Sequence, residues 1–317
     1  MNIFDSLPKP FFVLAPMDDV TDTVFRQVIA GCAPPDVFFT EFVNVDALQS
    51  AGRVATLPRL LHTPAEKPLI AQIWGKTPEN YYKSAQDLME MGFDGIDINM
   101  GCPVKDVVRN GCCSALINNR ELAAEIIQAT KNGAGNLPIS VKTRLGYNDI
   151  DYSWHEFLLE QNLNALSIHG RTRKQMSKVP ANWEAIGQIV KLRDKISPTT
   201  KIIGNGDVIT RVQGVELAQK YSLDGIMIGR GVFQDPYVFA NPLASGSSWA
   251  NQTPEQRKNL YAKHVKLFAK TWQNNEKPVV VLNKFCKIYI NGFDGAKDLR
   301  ENLMQTKTTE ELLRILM

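Results

Sequence analysis

Eight short apolar runs alternate with longer amphipathic stretches between residues 11 and 231, and no other feature constrains the fold as tightly. The runs are FFVLAP (11–16), DVFFTEFV (36–43), LIAQIWG (69–75), GIDINMG (95–101), PISVKTR (138–144), ALSIHG (165–170), KIIGNGD (201–207) and GIMIGRG (225–231). Their length and β-branched content predict buried strands. Between them, TDTVFRQVIAGC, TPENYYKSAQDLMEMG, NRELAAEIIQATKNG and RVQGVELAQKYS have helical spacing. Several open on Thr or Asn, which cap the first free amides of a helix, and close near Gly. Strands that alternate with helices pair in parallel through right-handed crossovers. Their number and the chain length fit an α/β fold, a (β/α)8 TIM barrel. A doubly wound sheet is the competing arrangement, but no GxGxxG follows the first strand.

After Asn241 the pattern changes. PLASGSSWANQTP reads as a linker, and the stretches beyond it, EQRKNLYAKHVKLFAKTW, KPVVVLNKFCKIYINGF and TKTTEELLRILM, have helical spacing. The expected organisation is a catalytic barrel at 1–241, a linker at 242–253 and a small helical domain at 254–317. From Thr253 to Met317 there are 12 Lys and Arg against 7 Asp and Glu, in a chain whose net charge is +3. The tail is therefore basic and the rest slightly acidic. A solvated helical surface would explain this; so would a patch for a polyanion such as RNA.

The 317 residues are 44% hydrophobic and 22% charged, ordinary globular usage. No apolar run approaches the ~18 residues that a membrane span needs, and MNIFDSLPKP does not read as a signal peptide. The five cysteines have no zinc-type spacing, so no metal site is expected, and a reducing cytoplasm is the simplest setting.

In a TIM barrel the chemistry collects at the C-terminal ends of the strands. Here those ends hold Pro16-Met17-Asp18, Thr40-Glu41, Gln72, Asn99 with Cys102, Lys142 with Arg144, His169, Asn205-Gly206-Asp207 and Gly229-Arg230. The glycine loops after the last two strands suit a phosphate, through exposed amides. Lys142 and Arg144 alternate, so both point to one side of their strand. Two cations in a barrel mouth need structural ion pairs or an anionic ligand, and a flavin ring is one such ligand. Cys102 lies between Gly101 and Pro103, where a tight turn would lift its thiol off the strand end. At an ordinary pKa of roughly 8.5 that thiol is mostly protonated and can serve as a general acid. Cys112 and Cys113 read as packing residues.

LAPMDDVTD, QIWG, DINMGCPVK, VKTRLG, IHGRTR, IIGNGDV and GIMIGRG, in this order, together with KIYINGFDGAKDLRENLMQTKTTEELL in the tail, resemble the tRNA-dihydrouridine synthases. The resemblance implies an FMN barrel joined to a helical tRNA-binding domain, and NADPH-dependent reduction of a D-loop uridine in tRNA. By position it implies FMN contacts from Pro16, Met17, Asp18, Gln72, Lys142, His169, Asn205, Gly206, Asp207, Gly229 and Arg230. It makes Cys102 the proton donor and Asn99, Lys142, Arg144 and His169 the uracil-holding set. A monomer without a protein partner is expected. NGCCSAL (110–116) departs from the glycine- and alanine-rich stretch usual in the family. A flavin barrel acting on a free pyrimidine is the nearest rival, but it leaves the basic tail unexplained.

Overall fold

A computed structural model of the protein describes residues 2–241, 249–273 and 277–317. Residues 242–248 of the expected linker lie outside the described residues. The described chain falls into two compact units, Met1–Thr23 with Pro35–Gly229, and Val24–Pro34 with Arg230–Met317.

The first unit is a parallel barrel. Its strands are β1 (Phe11–Leu14), β2 (Phe38–Phe39), β3 (Val43–Asn44), β4 (Leu69–Trp74), β5 (Gly95–Met100), β6 (Ile139–Arg144), β7 (Ala165–His169), β8 (Lys201–Asn205) and β9 (Gly225–Ile228). They run in the order β1-β9-β8-β7-β6-β5-β4-β2, with β3 also on β4. A parallel bridge between Val13 and Val37 carries the ring from β1 towards β2. Helices follow the strands in the chain: α1 (Thr23–Cys32), which apart from Thr23 belongs to the second unit, and, in the first, α2 (Pro78–Glu90), α3 (Arg120–Gly133), α4 (Tyr152–Glu160), α5 (Trp183–Ile196) and α6 (Arg211–Tyr221) among others. Asn119, Asp151, Asn182 and Thr210 cap four of them, each side chain accepting a backbone N–H of the first turn.

One expected strand is split. DVFFTEFV does not run unbroken from 36 to 43; it becomes β2 and β3, with Thr40 to Phe42 outside the ladder. The Thr40 hydroxyl takes the place of a backbone carbonyl, accepting the Gln72 amide at 3.0 Å. Because that amide needs no ladder partner, the chain can bend there and leave Glu41 at the mouth.

The barrel interior is layered. Phe4, Phe11, Val13, Val37, Phe39, Ile70, Ala165, Ile203 and Met227 fill the lower part as one buried apolar cluster. Further along the same strands the inward positions turn polar, because side chains alternate along each strand and Asp97, Asn99, Lys142, Arg144, Ser167 and His169 share the inward parity. Towards the strand starts, buried Asp224 accepts from Arg193 Nη1 at 2.6 Å and the Ile202 amide at 2.9 Å, and also pairs with Lys9. Burial alone would raise the Asp224 carboxyl, but these donors outweigh it and hold the group below its ordinary value. Its stabilisation is therefore present at neutral pH and lost as pH falls through the carboxylate range. Asp224→Asn removes the buried anion of Arg193 and leaves it only the exposed Asp194; we expect a loss of about 3 kcal/mol in urea unfolding at neutral pH, shrinking as the solution is acidified.

The second unit has helices α7 (Pro254–Thr271), α8 (Asn283–Tyr289), α9 (Ala296–Gln305) and α10 (Thr309–Leu316). Thr253 and Thr308 each close a capping box with a Gln or Glu three residues on. The stretch expected to be helical from 277 to 293 is a 3-10 turn at Val279–Leu282, begun at Pro278, followed by the shorter α8. Aromatic rings make the core: Phe25 stacks on Phe285 at 5.1 Å and Tyr261 on Tyr289 at 5.0 Å, with the His264 ring 4.8 Å from Phe285. Among the described residues no helix is long and apolar enough to cross a membrane.

Candidate active site

The sheet register brings the polar strand ends together. Gln72 lies opposite Asp97, Asn99 opposite Lys142, Arg144 opposite His169, and His169 opposite Asn205. Residues far apart in sequence thus share one rim.

Asn99 shapes the cysteine turn. Its Oδ1 accepts the backbone amides of Gly101 and Cys102, both at 3.0 Å. Its Nδ2 donates to Gln72 Oε1 at 3.0 Å, and Gln72 Nε2 donates to buried Asp97 at 2.7 Å. Ser140 completes the row with a 2.6 Å bond to Asp97. Burial pushes the Asp97 carboxyl up to about 6. Asp97 is a site residue that the sequence reading missed: a single charge inside an apolar run.

The Cys102 side chain is half-buried. Its pKa differs from the ordinary value expected above: a hydrogen bond from the Cys113 thiol draws it down to about 7, helped by the Val104 amide and Arg144, against burial and Asp18. Cys113 is buried, as a packing residue would be, and burial raises its pKa.

Lys142 makes one hydrogen bond among the described residues, to Asn205 Oδ1 at 3.3 Å, while Asn205 Nδ2 donates to Met227 O at 2.8 Å. Burial, and then the Arg144 charge, pull Lys142 down to about 8. Arg144 is nearly buried and braces the surrounding loops, donating from Nε to Gly101 O at 2.6 Å and from Nη1 to Thr172 O and Met176 O, each at 3.2 Å. Neither cation forms a salt bridge within 4 Å among the described residues; the partners are an amide and three carbonyls.

His169 accepts at Nε2 from Arg171 Nη1 at 3.1 Å. A guanidinium can only donate, so the imidazole proton belongs on Nδ1. Arg171, also missed from the sequence, pairs its Nη2 with Asp207, whose carboxylate accepts the Ala181 amide at 2.9 Å as well. The Asp207 carboxylate thus ties Arg171 to the loop at Ala181. Asp18 is similarly engaged: Arg59 clamps Asp18, Asp19 and Glu41 together. Pro16 and Met17 follow β1, with the Met17 amide on Thr21 Oγ1 at 2.9 Å and its side chain against the interior cluster. Gly229 ends the first unit; Arg230 opens the second as the first residue of a 3-10 turn.

A flavin ring fits these residues. Lys142 has two N–H groups left and a charge that burial disfavours, which suits an anionic ring edge. A Cβ at Gly229 would rest at ordinary distance on Ala15, 3.6 Å away, so packing alone does not demand a glycine there. Gly206 differs, with φ +136° and room for a Cβ only 2.7 Å from that of Ala181 and 3.4 Å from the His169 ring. Lys142, the rim amides and the glycine loops would hold the group.

The family model described as dihydrouridine synthase (Dus) matches residues 13–317. The chain belongs to the dihydrouridine synthase family. A probable tRNA-dihydrouridine synthase 2 of Bacillus subtilis (strain 168) is 47% identical to this family member over 319 residues, covering 99% of this chain and 95% of the relative. A probable tRNA-dihydrouridine synthase of Staphylococcus epidermidis is also 47% identical, over 318 residues, covering 99% of this chain and 95% of the relative. Among solved structures, morphinone reductase superposes with a TM-score of 0.53 at 12% identity, over 74% of this chain and 86% of that one. That likeness speaks for the barrel fold alone. For this synthase-family member, Gly206→Ala is expected to set a Cβ against Ala181 on a backbone of φ +136°, shift the 205–207 loop and release most of the flavin, measured as bound FMN absorbance after gel filtration.

Proposed function

We propose that this protein is a flavin-dependent tRNA-dihydrouridine synthase that reduces the C5–C6 bond of a D-loop uridine in tRNA. FMN reduced by NADPH would supply the hydride to uracil C6 when bound. The remaining work falls to this chain's residues. A uridine stacked within tRNA must be turned out to reach a barrel mouth, at a cost of about a few kcal/mol. Phosphate contacts from the basic 254–317 segment, joined to the catalytic barrel at 1–241 through 242–253, would offset that cost. Asn99, Arg144 and the Nδ1–H of His169 would act as donors to the charge that develops on uracil O4. Cys102 would give its proton to C5 and keep the S–H electron pair as thiolate. Gln72 and Asp97 would position Asn99. Lys142, Asn205, Gly206 and Gly229 would hold the flavin, together with Arg230, the next residue in the chain. A monomeric protein of the cytoplasm accords with this reading.

The observation that carries it is the Cys102 turn. One asparagine takes both amides of that turn and presents a half-buried thiol beside a guanidinium, where the family's chemistry needs an acid. The test uses tRNA from cells lacking dihydrouridine, with purified protein, FMN and NADPH. We expect new dihydrouridine at a D-loop position. Flavin reduction by NADPH without modified tRNA, and with turnover of a free pyrimidine, would instead make the substrate a small molecule.

The two half-reactions should also separate by pH. Cys102 acts as an acid only while protonated, so tRNA reduction should fall as pH rises through about 7. Lys142 helps only while charged, and an anionic ring edge beside it would favour the charge, so flavin reduction should hold past about 8 before falling. Stopped-flow absorbance of each half-reaction reads both limbs.

A further inference from the structure

The loop after β7 holds RTRKQMSKVPAN (171–182), with four cations and no acidic residue. It is tied both to the rim and to the loop after β6. Arg144 holds it at the Thr172 and Met176 carbonyls, on either side of Arg173. The Leu145 amide donates to Arg171 O at 3.2 Å, the Arg173 amide to Gly146 O at 2.9 Å and the Lys174 amide to Tyr147 O at 2.9 Å. Those bonds set Arg173 beside Tyr147, and its guanidinium carbon lies 5.0 Å from the centre of that ring.

Asp207 takes Arg171, but the other three cations have no such partner. Arg173, Lys174 and Lys178 form no ion pair among the described residues. On the facing loop Asp151 caps α4 and pairs with Arg120, and exposed Asp149 pairs with none of the three. Arg173 Nε is buried, and no described group accepts its hydrogen. A buried donor without an acceptor is costly, and an apolar side chain could cover Tyr147 without that cost. With Nε buried and its plane beside the ring, the guanidinium is a preorganised fork whose Nη hydrogens no described group takes up.

We propose that Arg173, set on Tyr147 and joined by Lys174 and Lys178, holds the RNA phosphates that flank the uridine entering the barrel mouth. The proposal rests on the reading of tRNA as the substrate. A nucleotide turned into the barrel brings the phosphates on both its sides to the rim, where Arg144 holds this loop. A guanidinium fork matches two phosphate oxygens at once, and its flat face packs on a ring. Such contacts read no base; they fix the register of the strand and leave the uracil to Asn99, Arg144 and His169. They belong to the barrel unit itself and not to the basic 254–317 segment.

The test is equilibrium binding of tRNA lacking dihydrouridine to the FMN-loaded full chain, by fluorescence anisotropy between about 50 and 200 mM salt, with dihydrouridine formation measured alongside. Arg173→Gln removes the charge, Arg173→Lys keeps the charge and loses the planar fork, and Lys174→Ala with Lys178→Ala removes two exposed charges. We expect Arg173→Gln to weaken tRNA binding about tenfold or more. Its plot of log affinity against log salt should be shallower by about 0.7–0.9, the change for one lost phosphate contact. Arg173→Lys should restore the slope but only part of the affinity. The double lysine variant should also have a shallower slope. FMN content and FMN reduction by NADPH should match wild type throughout. Wild-type affinity and slope in Arg173→Gln would overturn the proposal and leave the tRNA reading standing. Weaker binding with an unchanged slope would overturn it too, because the arginine would then serve the loop and not a phosphate. A wild-type protein that reduces its flavin but neither binds nor modifies tRNA would overturn both.

Discussion

Cys102→Ala is expected to slow reduction of tRNA by flavin about 100-fold or more while leaving FMN binding and its reduction by NADPH near wild type. General acids at reacting carbons typically contribute about 10²–10⁴-fold, and the cations that face Cys102, Arg144 and Lys142, are the proposed partners of uracil O4 and of the flavin. The rim should survive the change, because the turn is held through backbone groups: Asn99 binds the amides of 101 and 102, and Ser114 binds the 102 carbonyl. The mutation thus removes one sulfur and little else. Cys102→Ser sharpens the test, since a hydroxyl fits the same space but ionises far too weakly to deliver a proton at neutral pH. The measurement is single turnover: anaerobically reduced enzyme mixed with unmodified tRNA, following flavin reoxidation and dihydrouridine together. Unchanged rates in both variants would take the acid role away from Cys102.

What could be read from the chain, and what could not, divides along a physical line. Strand positions followed from β-branched runs, and the rim from glycine and polar residues where those runs end, because both are local properties of sequence. Lys142 and Arg144 were placed on one face by alternation alone. The split of the second strand was hidden because it depends on a Thr40 hydroxyl meeting an amide 32 residues away. Asp97 was hidden because one carboxylate in GIDINMG does not disturb a strand pattern; only the Gln72 and Ser140 bonds reveal its place in a row. Arg171 stood beside Arg173 in HGRTR with nothing to separate them, until the register set His169 next to one of them. Asp18 and Asp207 were legible as strand-end residues, but their ion pairs with Arg59 and Arg171 depend on partners 41 and 36 residues away.

Lys142→Met is expected to slow flavin reduction by NADPH about 100-fold, the usual loss when one preorganised charge is removed from a developing anion. The same change should stabilise the protein without flavin. Methionine keeps the apolar stem of lysine and drops the ammonium, and here the ammonium is a burden: burial and Arg144 together pull its pKa to about 8 from an ordinary 10.5. Between those two values the unfolded chain holds a proton that the folded chain has released. Folding stability therefore rises with pH across that window, by about 1.4 kcal/mol for each tenfold difference in proton affinity between the two states. Below about 8 the folded protein carries the full cost of a charge it cannot solvate. Lys142→Met should therefore raise the melting temperature of the flavin-free protein at pH 7 and flatten its rise between about pH 8 and 10. Bound FMN should reverse the sign for wild type: an anionic ring edge stabilises the ammonium, so flavin binding near pH 8 takes up a proton and weakens as pH rises, and the variant loses that dependence. A lysine kept for architecture would behave otherwise, with its removal lowering the melting temperature and leaving flavin reduction intact. Stability gained together with chemistry lost is the pattern of a residue that the fold tolerates for the sake of a ligand.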